Sequence, residues 1–227
     1  MPIELIVFDC DGVLVDSERI ANRVLAGLLS ELGLPTTPRE SMDTYMGSTV
    51  ARCLELIEDR LGRPPPAGFG EHYLETRMRA LKRELAPVPG IETALDALAA
   101  AGLRTCVASS NSLAVIRDSL DWAGLRGRFG DRLYSAADHV KRSKPHPDVF
   151  LFAAEQQGVP PERCVVVEDS PSGAAGGVAA GMLTFGFARD VTAGDLAAVG
   201  AVPFDDMSEL LRLVTNARDL ASNPAEA

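Results

Sequence analysis

Ile3–Phe8 is an almost uninterrupted apolar run that stops at an aspartate, and the same pattern returns further along the chain. Leu103–Ala108 ends at Ser109, and Cys164–Val167 ends at Glu168 and Asp169. A short run that is apolar at successive rather than alternate positions must bury both faces, which is the situation of a strand inside a parallel sheet. Leu183–Phe187 is a fourth, weaker run of this kind. Helical periodicity fills the intervals at Ile91–Ala101, Leu113–Ala123, Asp148–Gln157 and Ala174–Ala180, with glycine or proline as punctuation. Strands alternating with helices of this length specify βαβ units, hence an α/β fold built on a doubly wound, mostly parallel sheet.

One stretch breaks the alternation. From Ser17 to about Leu85 the pattern is helical only, with amphipathic segments at Ser17–Leu32, Thr49–Leu61 and Gly70–Leu85 and a stiff connector at Arg63-Pro64-Pro65-Pro66. The expected organisation is an α/β core formed by residues 1–16 and 86–227, interrupted by an all-helical domain over 17–85. The segment from Ala217 onward is expected to fray.

In an open parallel sheet, ligands bind beyond the carboxyl ends of the strands, so the polar residues that end these runs converge on one crevice. Asp9 and Asp11 flank Cys10 at the first such end, and Glu168 with Asp169 supplies a second acidic pair. Carboxylates gathered in one pocket repel one another and need a cation, and an all-oxygen set with open positions suits Mg²⁺. A single acid after a strand is ordinarily a turn or cap residue, but two pairs at two strand ends are not explained that way.

Ser109 leads straight into a helix, where a hydroxyl and free backbone N–H groups make an anion site; Ser110 or Asn111 would then serve as an ordinary helix cap. Lys144 lies in Arg142-Ser143-Lys144-Pro145-His146-Pro147, where prolines restrict the backbone and a held positive charge can offset both carboxylates and a phosphate. His146 reads as a loop residue. Gly173, Gly176 and Gly177 match no phosphate-loop motif and read as sites of close helix-to-sheet packing.

The composition narrows the partners. Among 227 residues, 22 Lys and Arg stand against 32 Asp and Glu, a formal charge of −10 that opposes electrostatic binding of nucleic acid. No apolar run approaches the roughly 18 residues of a membrane helix, and the start MPIELIVFDCDG lacks the basic stretch of a secretory signal. The expectation is a cytoplasmic, monomeric protein with no nucleic-acid or membrane partner. Cys10, Cys53, Cys106 and Cys164 are too widely spaced for a zinc site or a disulfide framework and read as buried free thiols.

Four segments, in order, carry a resemblance: Phe8-Asp9-Cys10-Asp11-Gly12-Val13 through Asp16-Ser17-Glu18, the serine of Ala108-Ser109-Ser110-Asn111, Ser143-Lys144-Pro145 with Pro147-Asp148, and Val167-Glu168-Asp169-Ser170-Pro171-Ser172-Gly173. Together they resemble the motifs of the haloacid dehalogenase-like hydrolase superfamily, and the helical insert resembles the cap of the subgroup containing β-phosphoglucomutase and sugar-phosphate phosphatases. Val13 stands where many phosphatases have threonine, and several members of the subgroup share it.

The resemblance implies that Asp9 attacks phosphorus and that Asp11 serves as general acid, then general base. It also implies that Mg²⁺ is held by Asp9, Asp169 and the main-chain carbonyl of Asp11, with Glu168 behind them, and that Ser109, Ser110 and Lys144 bind the phosphate. The expected activity is Mg²⁺-dependent hydrolysis of a small phosphorylated metabolite, a sugar or polyol phosphate, with Arg52, Arg77 and Arg79 of the cap as candidates for selectivity. A β-phosphoglucomutase-type mutase is the nearest rival. It is disfavoured because Ala21 and Val50 fall where that family has a cap histidine and arginine, although Arg52 is near enough to substitute. A non-enzymatic aspartyl-phosphate switch is the alternative from another class, and the helical insert argues against it.

Overall fold

In a computed structural model that describes residues 2–222, the apolar runs are neighbours in one six-stranded parallel sheet. Its strands are β1 (Leu5–Phe8), β2 (Arg104–Ser109), β3 (Leu133–Ser135), β4 (Cys164–Glu168), β5 (Leu183–Phe187) and β6 (Val202–Phe204), in the order β3-β2-β1-β4-β5-β6. The chain winds outward from β1 to β3, then crosses back to β4 and winds outward the other way. Strand order therefore reverses at β1, the place where doubly wound sheets form their ligand crevice. Phe8 pairs with Val107 on one side and Val167 on the other, so Asp9, Ala108 and Glu168 stand level at the carboxyl edge.

Both faces of the central strands are buried. Leu5, Val7, Cys106, Ala108, Cys164 and Val166 pack with Val149, Phe150 and Ala153 of the helix Asp148–Gln157. On the other face Phe8 meets Phe129 edge-on, with centroids 6.4 Å apart. Close approach explains two of the glycines: a Cβ on Gly177 would stand 2.6 Å from Thr184 Oγ1, and one on Gly176 3.1 Å from the Phe150 ring. The strands β3 and β6 have three residues each and leave no periodic trace in the sequence.

The chain divides into two compact units, one from the residues up to Val15 together with those from Pro87 onward, the other Asp16–Ala86. The second unit's regular structure is all helical, and it spans one residue more at each end than the 17–85 expected; Asp16 N–H donates to Ala86 O at 3.0 Å where its two ends meet. It holds four helices rather than the expected three: α1 (Ser17–Glu31), α2 (Pro38–Tyr45), α3 (Val50–Leu61) and α4 (Phe69–Glu84). The addition, α2, is short and polar but begins with a full capping box. Thr37 Oγ1 accepts from Glu40 N–H at 3.2 Å and Glu40 Oε2 accepts from Thr37 N–H at 2.7 Å, a device worth about 1 kcal/mol. Leu25, Leu28 and Leu29 of α1 pack with Tyr45, Cys53, Ile57, Phe69 and Tyr73 into the unit's own core.

The chain's last described helix, Leu210–Ser222, takes in the first residues of the segment expected to fray from Ala217; the remainder of that segment, 223–227, lies outside the described residues. Among the described residues no helix is long and apolar enough to cross a membrane.

Candidate active site

Asp9 is the first residue past β1, 7% exposed, and its N–H donates to Val167 O at 2.9 Å, which fixes its backbone to β4. Carboxylate oxygens of Asp9, Glu168 and Asp169 lie within 4.8 Å of one another. Into this cluster comes Lys144, whose ammonium donates to Asp9 Oδ1, to Glu168 Oε1 at 2.6 Å and to Ala108 O at 3.0 Å. It also lies 4.9 Å from the centroid of the Phe150 ring.

Glu168, at 1% exposure, is saturated with donors. Its second oxygen accepts from Asp169 N–H and Ser170 N–H, each at 3.1 Å, and from the Ser170 hydroxyl at 2.9 Å. Ser170 in turn caps the helix Pro171–Ala179 by accepting from Gly173 N–H at 3.0 Å. A side chain at Gly173 would collide with the Glu168 carboxylate, and one at Gly12, whose φ is +77°, with that of Asp169. Both glycines are there because carboxylates occupy the space.

Burial pushes the Asp9 carboxyl up to about 7; Lys144 pulls the other way, and the charges of Glu168 and Asp11 add to the rise. Burial works against the Lys144 charge too, but the two carboxylates outweigh it and hold the ammonium protonated well above its ordinary range. The Cys10 thiol is driven far up by burial and by its acidic neighbours, which makes it inert, and all four cysteines are free and buried. Two buried carboxylates, Asp9 and Glu168, and the half-buried Asp169 bring their oxygens together here. A donor set of hard carboxylate oxygens fits a divalent cation of the Mg²⁺ type.

Ser109 closes β2 at 2% exposure, and its Oγ accepts Asn111 N–H at 3.2 Å, leaving the hydroxyl proton to be donated elsewhere. Ser110 is exposed and accepts from Ser143 Oγ at 3.2 Å. Neither Ser110 nor Asn111 caps the following helix, contrary to expectation. The N-cap position is Ser112, without a side-chain bond, and Leu113 N–H is satisfied instead by Asp138 Oδ2 at 2.6 Å. The Asp11 carboxylate is not part of the three-acid cluster; its Oδ2 accepts from Asn111 Nδ2 at 2.8 Å. No local signal in the sequence announces that contact, since the partners are 100 positions apart.

The three arginines of the helical unit differ. Arg52 is exposed and paired with Glu55 at 2.7 Å, and Arg79 is exposed and donates to Thr76 Oγ1 at 3.1 Å. Arg77 is half-buried beside Tyr73, and its buried Nε has no hydrogen-bond partner among the described residues.

A family model described as haloacid dehalogenase-like hydrolase matches residues 3–181. The 6-phosphogluconate phosphatase of Escherichia coli (strain K12) is 31% identical over 189 residues, covering 83% of this chain and 84% of that protein. Hexitol phosphatase A of the same organism is 32% identical over 176 residues, 77% of this chain and 78% of that one. Among solved structures, a HAD family hydrolase from Deinococcus radiodurans R1 with bound phosphate and sodium superposes with a TM-score of 0.86. It is 32% identical, and the match covers 96% of this chain and 97% of that one.

Proposed function

The chain belongs to the haloacid dehalogenase-like hydrolase family, and from that membership we propose that it is a Mg²⁺-dependent phosphatase of sugar or polyol phosphates. The observation that carries this reading is the buried Asp9 at the end of β1, grouped with Glu168 and Asp169 and contacted by Lys144. The substrate class rests on relatives named for phosphorylated sugar acids and hexitols.

In the proposed reaction an Asp9 carboxylate oxygen forms a bond to phosphorus as the bond from phosphorus to the substrate oxygen breaks. Asp11 donates a proton to the departing alkoxide and then removes one from the water that cleaves the aspartyl-phosphate, releasing inorganic phosphate and restoring Asp9. Asp9, Asp169 and the Asp11 carbonyl, backed by Glu168, are the groups proposed to hold Mg²⁺, which when bound supplies positive charge against the transferring phosphoryl group. The Ser109 hydroxyl and the Lys144 ammonium bind phosphoryl oxygens, with Ser110 beside them. We assign the helical unit, residues 16–86, as the cap, with Arg52, Arg77 and Arg79 as its candidates for selectivity.

Phosphate release from 6-phosphogluconate and hexitol phosphates, measured with Mg²⁺ and with EDTA, tests the reading. At least one substrate is expected to be turned over, with activity lost in EDTA and in Asp9→Asn. No release from any of the panel, or full activity in Asp9→Asn, overturns it.

A further inference from the structure

We propose that Asn111 is a positioning residue that fixes the orientation of the Asp11 carboxylate relative to the Ser109 hydroxyl. The proposal rests on the reading of Asp11 as acid and base. Asn111 makes three hydrogen bonds: its N–H donates to Ser109 Oγ at 3.2 Å, its side-chain NH2 donates to Asp11 Oδ2 at 2.8 Å, and its C=O accepts from Ser135 Oγ at 2.7 Å. One residue thus joins the group that handles the leaving-group proton to the group that binds phosphate.

The residue is itself held from behind. Ser135 ends β3 with no exposed surface, its hydroxyl accepts Asp138 N–H at 3.0 Å, and its own N–H donates to His139 Nδ1 at 3.1 Å. Asp138 also accepts the first N–H of the helix Leu113–Trp122, so the loop carrying Asn111 is tied down at both ends. Such a brace restricts the motion of the side chain it supports. A misplacement of about 1 Å in a reacting group costs roughly 100-fold in rate, so a fixed carboxylate is worth that arrangement. Both main-chain bonds survive substitution of Asn111, so a change there removes the Asp11 contact selectively.

The test uses phenyl, p-nitrophenyl and 2,4-dinitrophenyl phosphate, whose leaving groups need progressively less protonation, with Mg²⁺ and the variants Asn111→Ala, Asn111→Asp, Asp11→Asn and Asn111→Ala/Asp11→Asn. For Asn111→Ala, kcat/KM on phenyl phosphate is expected to fall roughly 10- to 100-fold and on 2,4-dinitrophenyl phosphate by less than about threefold. Asn111→Asp is expected to be at least as impaired, since it sets a second carboxylate against Asp11. In the Asp11→Asn background, adding Asn111→Ala is expected to cost nothing further.

Equal losses on all three substrates, no loss on any, or additive losses in the double variant would overturn the proposal. If Asp11→Asn is sensitive to the leaving group and Asn111→Ala is not, the positioning role alone falls. If Asp11→Asn treats the three substrates alike, the acid–base reading fails and the role of Asn111 falls with it.

Discussion

Lys144 donates to Glu168 at 2.6 Å with 6% and 1% of the two side chains exposed. Burying a charge costs several kcal/mol, and the pair is sustained because neither partner depends on the other alone. Lys144 also meets Asp9 and Ala108 O, while Glu168 collects three more donors from Asp169 and Ser170. Glu168 thereby serves as the fixed anchor that presents the lysine to Asp9.

Removing the ammonium leaves buried carboxylates facing one another. Lys144→Met is expected to lose about 3–5 kcal/mol of stability in urea denaturation, together with its activity. Lys144→Arg is not expected to restore either, because a planar guanidinium cannot converge on Asp9, Glu168 and Ala108 O as a compact ammonium does. A Lys144→Met protein as stable as the parent would contradict this account.

The raised Asp9 carboxyl has a definite consequence for pH. Between its ordinary value of 3.8 and about 7, the metal-free folded protein holds a proton that the unfolded chain has released, so stability is lost as pH rises through that window. Lys144, shifted upward, contributes stability that disappears only above its ordinary value of 10.5 and does not reverse this trend. In EDTA, the melting temperature of the parent is expected to decline relative to Asp9→Asn as pH rises from about 4 to about 7. A gap between the two that stays constant over this range would count against the shift.

Gly12 gives the acidic cluster a steric signature. Its φ of +77° disfavours any side chain, and a Cβ would strike the Asp169 carboxylate. Gly12→Ala is expected to lose upward of about 1 kcal/mol in stability and to need more Mg²⁺ for half-maximal activity. Asp169→Asn is expected to raise the Mg²⁺ requirement with little change in stability. Unchanged Mg²⁺ dependence in both variants would remove Asp169 from the metal site.

Phosphatase and mutase can be separated directly. Ala21 is buried in α1 and Val50 opens α3, and neither side chain can hydrogen-bond or carry charge. Arg52, the nearest substitute for the mutase arginine, is engaged with Glu55. Given β-glucose 1-phosphate and a trace of the 1,6-bisphosphate, the enzyme is expected to release inorganic phosphate faster than it forms glucose 6-phosphate. The opposite ratio would favour the mutase.

What the sequence by itself determined are the features that depend on near neighbours. The runs at β1, β2 and β4 are legible because burial on both faces demands successive apolar residues, and the acids and serine that follow them are legible because each run has to end in polar groups at the sheet's edge. The extra helix α2 was also within reach, since Thr37, Pro38 and Glu40 spell a capping box; only its lack of an apolar stripe hid it. Three-residue strands such as β3 and β6 are too short to show a period, and their place at the sheet's edges comes from pairing with neighbours. The hydrogen bond from Asn111 to Asp11, and the lysine's seat between Asp9 and Glu168, were decided by tertiary structure alone. They join residues from separate strands and loops, and such contacts depend on strand order and register, which bring distant residues to one edge without leaving a mark in either local segment.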